Sequence, residues 1–317
     1  SMRQCGAIDT TDDEGPARII DPTGAASTRG SEVEPGSPAR RPALVIGVVL
    51  LVLVVVVGGL LVFGGGDVQQ TSEDDARQRF EAGTDSTSGS DDRPDGTSSS
   101  DRSVMTRAPE PGVYRYQGSG TENTSFPPLT EEQGPAMPAT VTATSDGCWV
   151  LRIDFNTHHW QDWNYCTADG QLLDRGGSSF SRRTIGGLDI DNTSTFTCEP
   201  VVVVLDADDP TGTARPRSCV GTGTIVTDPT TAAGTMTNVG RETVEVGSRP
   251  LPAIHVRYDL TFAGAQTGTE TTDLWFEEAT GLPVRNEHRI EMVTDTAFGR
   301  ITYTEDAQFL LQEANPV

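Results

Sequence analysis

Residues 148–166 read CWVLRIDFNTHHWQDWNYC, two arms of alternating apolar and polar residues about a short polar turn. A period of two suits a strand with one face buried and the other wet. Taking Asn156, Thr157 and His158 as the loop of a hairpin fixes the register. Cys148 then stands opposite Cys166, and Arg152 opposite Asp162. On the other face Trp149 meets Tyr165 and Leu151 meets Trp163, so every pairing joins chemically matched partners.

The second pair of cysteines, Cys198 and Cys219, flanks another candidate hairpin with its turn at 206–212 (DADDPTG). Four cysteines allow three connectivities. Hairpin geometry favours 148 with 166 and 198 with 219, each closing a loop worth about 3 kcal/mol in the chain-entropy model.

From Pro111 onward the same grammar of short alternating runs between Gly, Pro, Asn and Asp continues. Ile254, Val256, Tyr258, Leu260 and Phe262 share one face, against His255, Arg257, Asp259 and Thr261 on the other. No amphipathic helix stands out, and residues 110–317 are expected to form one all-β antiparallel domain.

Upstream the composition changes sharply. Ala43 to Phe63 is a run of 21 uncharged residues (ALVIGVVLLVLVVVVGGLLVF); at about 1.5 Å per residue it matches a hydrocarbon core about 30 Å thick. Arg40 and Arg41 precede it and Asp67 follows, which places the N-terminus in the cytoplasm and the C-terminal domain outside the cell. All four paired cysteines then fall on the outer, oxidising side, while Cys5 stands alone inside. Residues 1–42 and 64–109 are rich in Gly, Pro, Ser and acid. They read as a disordered cytoplasmic tail and a disordered acidic stalk.

The net charge is −23 and lysine is absent. Such a balance repels phosphate backbones, so no nucleic-acid partner is expected. Lysine-dependent chemistry is excluded, no G-x-S-x-G elbow occurs, and an enzyme is not expected. His158 and His159 point to opposite faces of a strand, no zinc spacing is present, and the Asp206/Asp208/Asp209 and Asp189/Asp191 turns lack a complete calcium loop. Neither metal nor cofactor is expected.

Asp273 to Arg285 (DLWFEEATGLPVR) resembles the D-x-W-x-D-x-x-T-G-L-P-x-R hairpin of LolA/LolB-like lipoprotein carriers over about residues 234–311. The resemblance implies a curved antiparallel sheet, a half-barrel wrapped around a hydrophobic cavity. Carriers close that half-barrel with helices, whereas Thr121 to Pro138 here is Pro-rich and unhelical. The chain also resembles actinobacterial membrane-anchored proteins with a G-C-W…C…C…C arrangement, which implies no activity.

Trp149, Leu151, Phe155, Trp163 and Tyr165 are the candidate ligand-contacting residues, and the same side chains would equally make an ordinary core. Trp275, on a polar face beside Asp273 and Glu277, is either a contact site or packed against an arginine. Three readings follow: a membrane-anchored envelope module holding a lipid in the sheet's concavity, a filled module docking an envelope protein, or an enzyme with an acidic site. A lined cavity favours the first, a filled core the second, and two converging carboxylates in a cleft the third.

Overall fold

A computed structural model describes residues 69–84, 105 and 107–317, apart from 145–146, 186, 207 and 297–298. The expected tail (1–42), the membrane span (43–63) and most of the expected stalk lie outside the described residues. Among the described residues no helix is long and apolar enough to cross a membrane.

Thirteen strands follow in order: β1 (Gly112–Ser125), β2 (Pro128–Gln133), β3 (Ala136–Ala143), β4 (Cys148–Asn156), β5 (His159–Ala168), β6 (Gln171–Ile185), β7 (Leu188–Asp206), β8 (Ala214–Gly223), β9 (Thr230–Val246), β10 (Arg249–Gly264), β11 (Gln266–Glu277), β12 (Pro283–Thr296) and β13 (Gly299–Leu311). Each pairs antiparallel with its neighbour in sequence, except that β2 and β3 lie end to end along one edge of β1. The other edge of β1 pairs with β13, from Tyr116 opposite Leu311 to Thr124 opposite Tyr303. Twelve strand positions therefore close into a barrel. The expected open half-barrel is corrected: pairing the first strand with the last satisfies two edges that would otherwise carry unpaired backbone groups.

The predicted hairpin is present, with Cys148 opposite Cys166, Trp149 opposite Tyr165, Leu151 opposite Trp163 and Arg152 opposite Asp162. Its turn is tighter than expected, Asn156 pairing with His159. Arg152 pairs with Asp154 on its own strand rather than with Asp162, whose carboxylate accepts the Ser178 N–H at 2.8 Å. Both disulfides form as predicted.

The meander gives the barrel two distinct ends. At the base lie the β3–β4, β5–β6, β7–β8, β9–β10 and β11–β12 connections, with the apolar core inside. Trp149, Tyr165 and Phe276 pack at 5.0 and 6.0 Å between ring centres, and Tyr116 meets Phe309 at 5.3 Å. The β11–β12 turn at the base carries the quoted T-G-L-P: Gly281 takes φ +74°, which glycine accepts without steric cost, and its N–H donates to Glu277 O at 2.9 Å. At the opposite end, here called the mouth, lie the β1–β2, β4–β5, β6–β7, β8–β9, β10–β11 and β12–β13 connections.

A helix, α1 (Glu73–Thr84), occupies part of the segment expected to be a disordered stalk. Ser72 caps it: its hydroxyl accepts the Asp75 N–H at 3.1 Å while the Asp75 carboxylate accepts the Ser72 N–H at 3.3 Å. The chain entering α1 is held at the β4–β5 turn, where Gln69 O accepts the Thr157 N–H, and at the β2–β3 junction, where the Gln70 amide donates to Gly134 O, both at 2.8 Å. Arg79 then pairs with the buried Asp154, and Arg115 on β1 with Glu73. Acidic residues stabilise the first turn of the helix through its dipole. Met105, also within the expected stalk, is buried in the core.

Candidate functional site

Alternation along β1 turns Tyr114, Tyr116 and Glu122 to one face, while Arg115, Gln117 and Thr121 face out. Because the barrel closes, that shared face is interior, and Glu122 is buried near the mouth. Five further strands bring charge to it. His159 on β5 places Nδ1 2.5 Å from a Glu122 oxygen. Arg183 on β6 pairs with both Glu122 and Glu131 of β2. Gln133 on β2 donates to Glu122 at 2.9 Å and to Glu305 of β13 at 2.7 Å. His288 on β12 contacts Glu305 at 3.0 Å, and its other ring nitrogen contacts Asn286 Oδ1 at 2.8 Å. Tyr303 donates its hydroxyl to Glu305 at 2.6 Å.

Three carboxylates thus face one guanidinium and two imidazoles. The set is neutral when both imidazoles are protonated, which is the condition for burying charge at tolerable cost. Burial by itself lifts a carboxyl and depresses an imidazole. At Glu122, Glu305 and both histidines the opposing charges win. Burial would raise Glu305, yet the facing His288 holds it at about 2. Glu122 is held well below the usual carboxylate range by His159 and Arg183, against the effect of burial. His159 and His288 are both raised, the pull of Glu122 and Glu305 exceeding the desolvation that opposes it. Burial raises Glu131.

One donor atom each from Glu122, His159 and Glu305 lies within 4.8 Å of the others, a spacing that a divalent cation accepts. Arg183 and His288 already supply the balancing charge there, so the donor set does not demand an ion. The other grouping of this kind, Asp174 with Cys198 and Cys219, has both sulfurs in a disulfide and is not a ligand set. Asp174 instead pairs with Arg217 of β8 at 3.0 Å, a second buried ion pair nearer the base of β6.

Of the residues singled out from sequence, Trp149, Leu151, Phe155 and Tyr165 come together in the closed core, where Trp149 is 1% and Leu151 0% exposed. They fill the interior rather than line an open groove. Trp163 is half-buried toward the mouth, 6.5 Å from Phe309. Trp275 stands apart on the outer wall and is still only 5% exposed. It is sandwiched by His255, stacked at 4.1 Å, and by Arg285, 4.4 Å above the ring, while its N–H donates to Glu242 at 2.9 Å.

The interior charges escaped sequence reading because Glu122, Glu131, Glu305 and His288 sit in strands whose polarity suggests a wet face. The available signal was parity: Glu122 shares its face with Tyr114 and Tyr116. On the outer wall a groove of about 810 Å³ runs over β10–β13, β1 and β2, lined by Arg257, Asp273, Glu287, Arg289 and Asp306 among others. Its charges are partly paired, Arg289 with Asp306 at 2.5 Å and Arg257 with Asp273 at 3.7 Å.

No family and no curated protein matches the chain. Among solved structures it is similar to the hypothetical lipoprotein YmcC from Escherichia coli (K12), with TM-score 0.34 and 12% identity over 63% of this chain and 86% of that one.

Proposed function

We propose that this chain is a non-enzymatic, single-pass cell-membrane protein, its N-terminus cytoplasmic and its barrel outside the cell, that docks another envelope protein through its outer wall. The observation supporting this reading is the filled interior: the side chains that a lipid groove would need free are packed against one another. The charged groove on the wall, with both signs interspersed, suits a polar protein partner more than an acyl chain. The converging carboxylates inside are neutralised by their own partners and act as structure, so they give the enzymatic reading little support.

A lipid-binding reading keeps a foothold only at the mouth. There Ile290, Met292 and Ile301 face inward and are half-buried.

A photo-crosslinking residue in place of Thr271, in the groove, tests the docking reading in native envelopes. One discrete adduct, lost when Arg257 and Arg289 are both changed to Glu, is the expected result. No adduct, together with a native mass spectrum of the full chain showing extra mass released on denaturation, would transfer the assignment to the lipid reading.

A further inference from the structure

Three of the large apolar side chains most open to solvent are Phe126 at 52%, Leu188 at 67% and Ile225 at 57%. They belong to the β1–β2 turn, the β6–β7 turn and the β8–β9 loop, all at the mouth. The β8–β9 loop is also tied to the β6–β7 hairpin, Thr224 N–H donating to Thr193 O at 2.9 Å. The base presents no such group of exposed apolar tips among the described residues.

The chain itself enters at this same end. Gln69 is fixed to Thr157 in the β4–β5 turn, and Gln70 to Gly134 farther down the wall at the β2–β3 junction. Only five residues, 64–68, separate Gln69 from Phe63, the last residue of the apolar run. Fully extended, that connection reaches about 20 Å.

We infer that the barrel sits mouth-down on its own bilayer, with Phe126, Leu188 and Ile225 dipping into the lipid headgroup layer. The inference rests on reading residues 43–63 as the membrane span. A short tether raises the effective concentration of the tips at the surface, so a weak intrinsic affinity suffices. The contact is apolar rather than electrostatic. Asp191 and Asp295 near the mouth are each already paired, with Arg182 and Arg300, and the chain as a whole is acidic. Neutral lipids therefore serve as well as anionic ones, and added salt does not release the contact. The segment expected to hold the domain off the membrane instead fixes which end faces it, leaving the outer wall open sideways.

The test uses the full chain with Cys5→Ser in phosphatidylcholine vesicles, nitroxide-labelled in turn at Phe126→Cys, Leu188→Cys, Ile225→Cys and, at the base, Ser248→Cys. The expected result is a severalfold drop in collision with a water-soluble relaxant and a matching rise with oxygen at the three mouth positions, with Ser248→Cys unchanged. Equal water access at all four positions, or greater shielding at Ser248→Cys, would overturn the orientation. Alkaline carbonate extraction is read in parallel. Retention of the chain in the vesicle pellet is expected, and release would remove the span on which the orientation depends.

Discussion

Glu122 on β1 and His159 on β5 meet at 2.5 Å inside the barrel although 37 residues separate them in the chain. This contact bridges strands three positions apart around the wall, its counterpart between Glu305 and His288 joins the neighbouring strands β13 and β12, and together they make the fold's stability depend on pH.

For the two histidines the folded pKa lies above the ordinary 6.5, so their contribution is complete below about 6.5 and is lost as pH rises through the raised folded values. For Glu122 and Glu305 the folded pKa lies below 4.5, so theirs is complete above about 4.5 and is lost as pH falls, for Glu305 through about 2. The apparent Tm should peak between about pH 4.5 and 6.5. In His288→Gln the decline on the alkaline side should shrink. A Tm profile unchanged by that substitution would remove the histidines from the account.

Arg183 carries the balance for two carboxylates at once. Arg183→Met leaves Glu122 and Glu131 facing each other without it, and breaking a buried pair from one side costs about 3–5 kcal/mol. Urea unfolding of the detergent-solubilised chain measures the loss. Adding Glu131→Gln to Arg183→Met should recover part of it, since one uncompensated charge is gone; a double variant less stable than the single would contradict this balance.

Leu151 separates core from groove by experiment. It is fully enclosed, and Leu151→Ala should cost about 2–5 kcal/mol through lost burial and the cavity left behind. A groove-lining residue would instead tolerate the change with little loss of stability.

Ser72 fixes the start of α1 through its reciprocal bonds with Asp75. Ser72→Ala should weaken the helix by about 1 kcal/mol, seen as faster hydrogen exchange across residues 75–84 with the barrel strands unaffected. Uniformly faster exchange throughout would mean instead that the helix and barrel unfold as one unit.

Much of the strand architecture was legible because it is local. Alternation of period two marks Ile254 to Phe262 and Cys148 to Phe155, and a short hairpin turn, expected at three residues and found at two, leaves little choice of register for the Cys148–Cys166 pair. α1 was not legible, since its mean hydropathy is as low as that of the sequence around it; only Ser72 with Asp75 three residues on hinted at a cap. Its order comes from ion pairs to Asp154 and Arg115, which are distant in sequence.

The sequence by itself determined the all-β class, the disulfide partners and which side chains share a face in the regular hairpins, because each follows from neighbours a few residues apart, whereas β2 and β8 gave no such local signal. Only the tertiary structure decided that β13 joins β1 and so turned one face of every strand into an interior. That closure pairs residues nearly two hundred positions apart, as Tyr116 with Leu311, and no local period encodes it. It also decided that Glu122, His159, Arg183, Glu305 and His288 meet, since a charged residue in a strand reads as wet until the sheet encloses it and supplies its opposite.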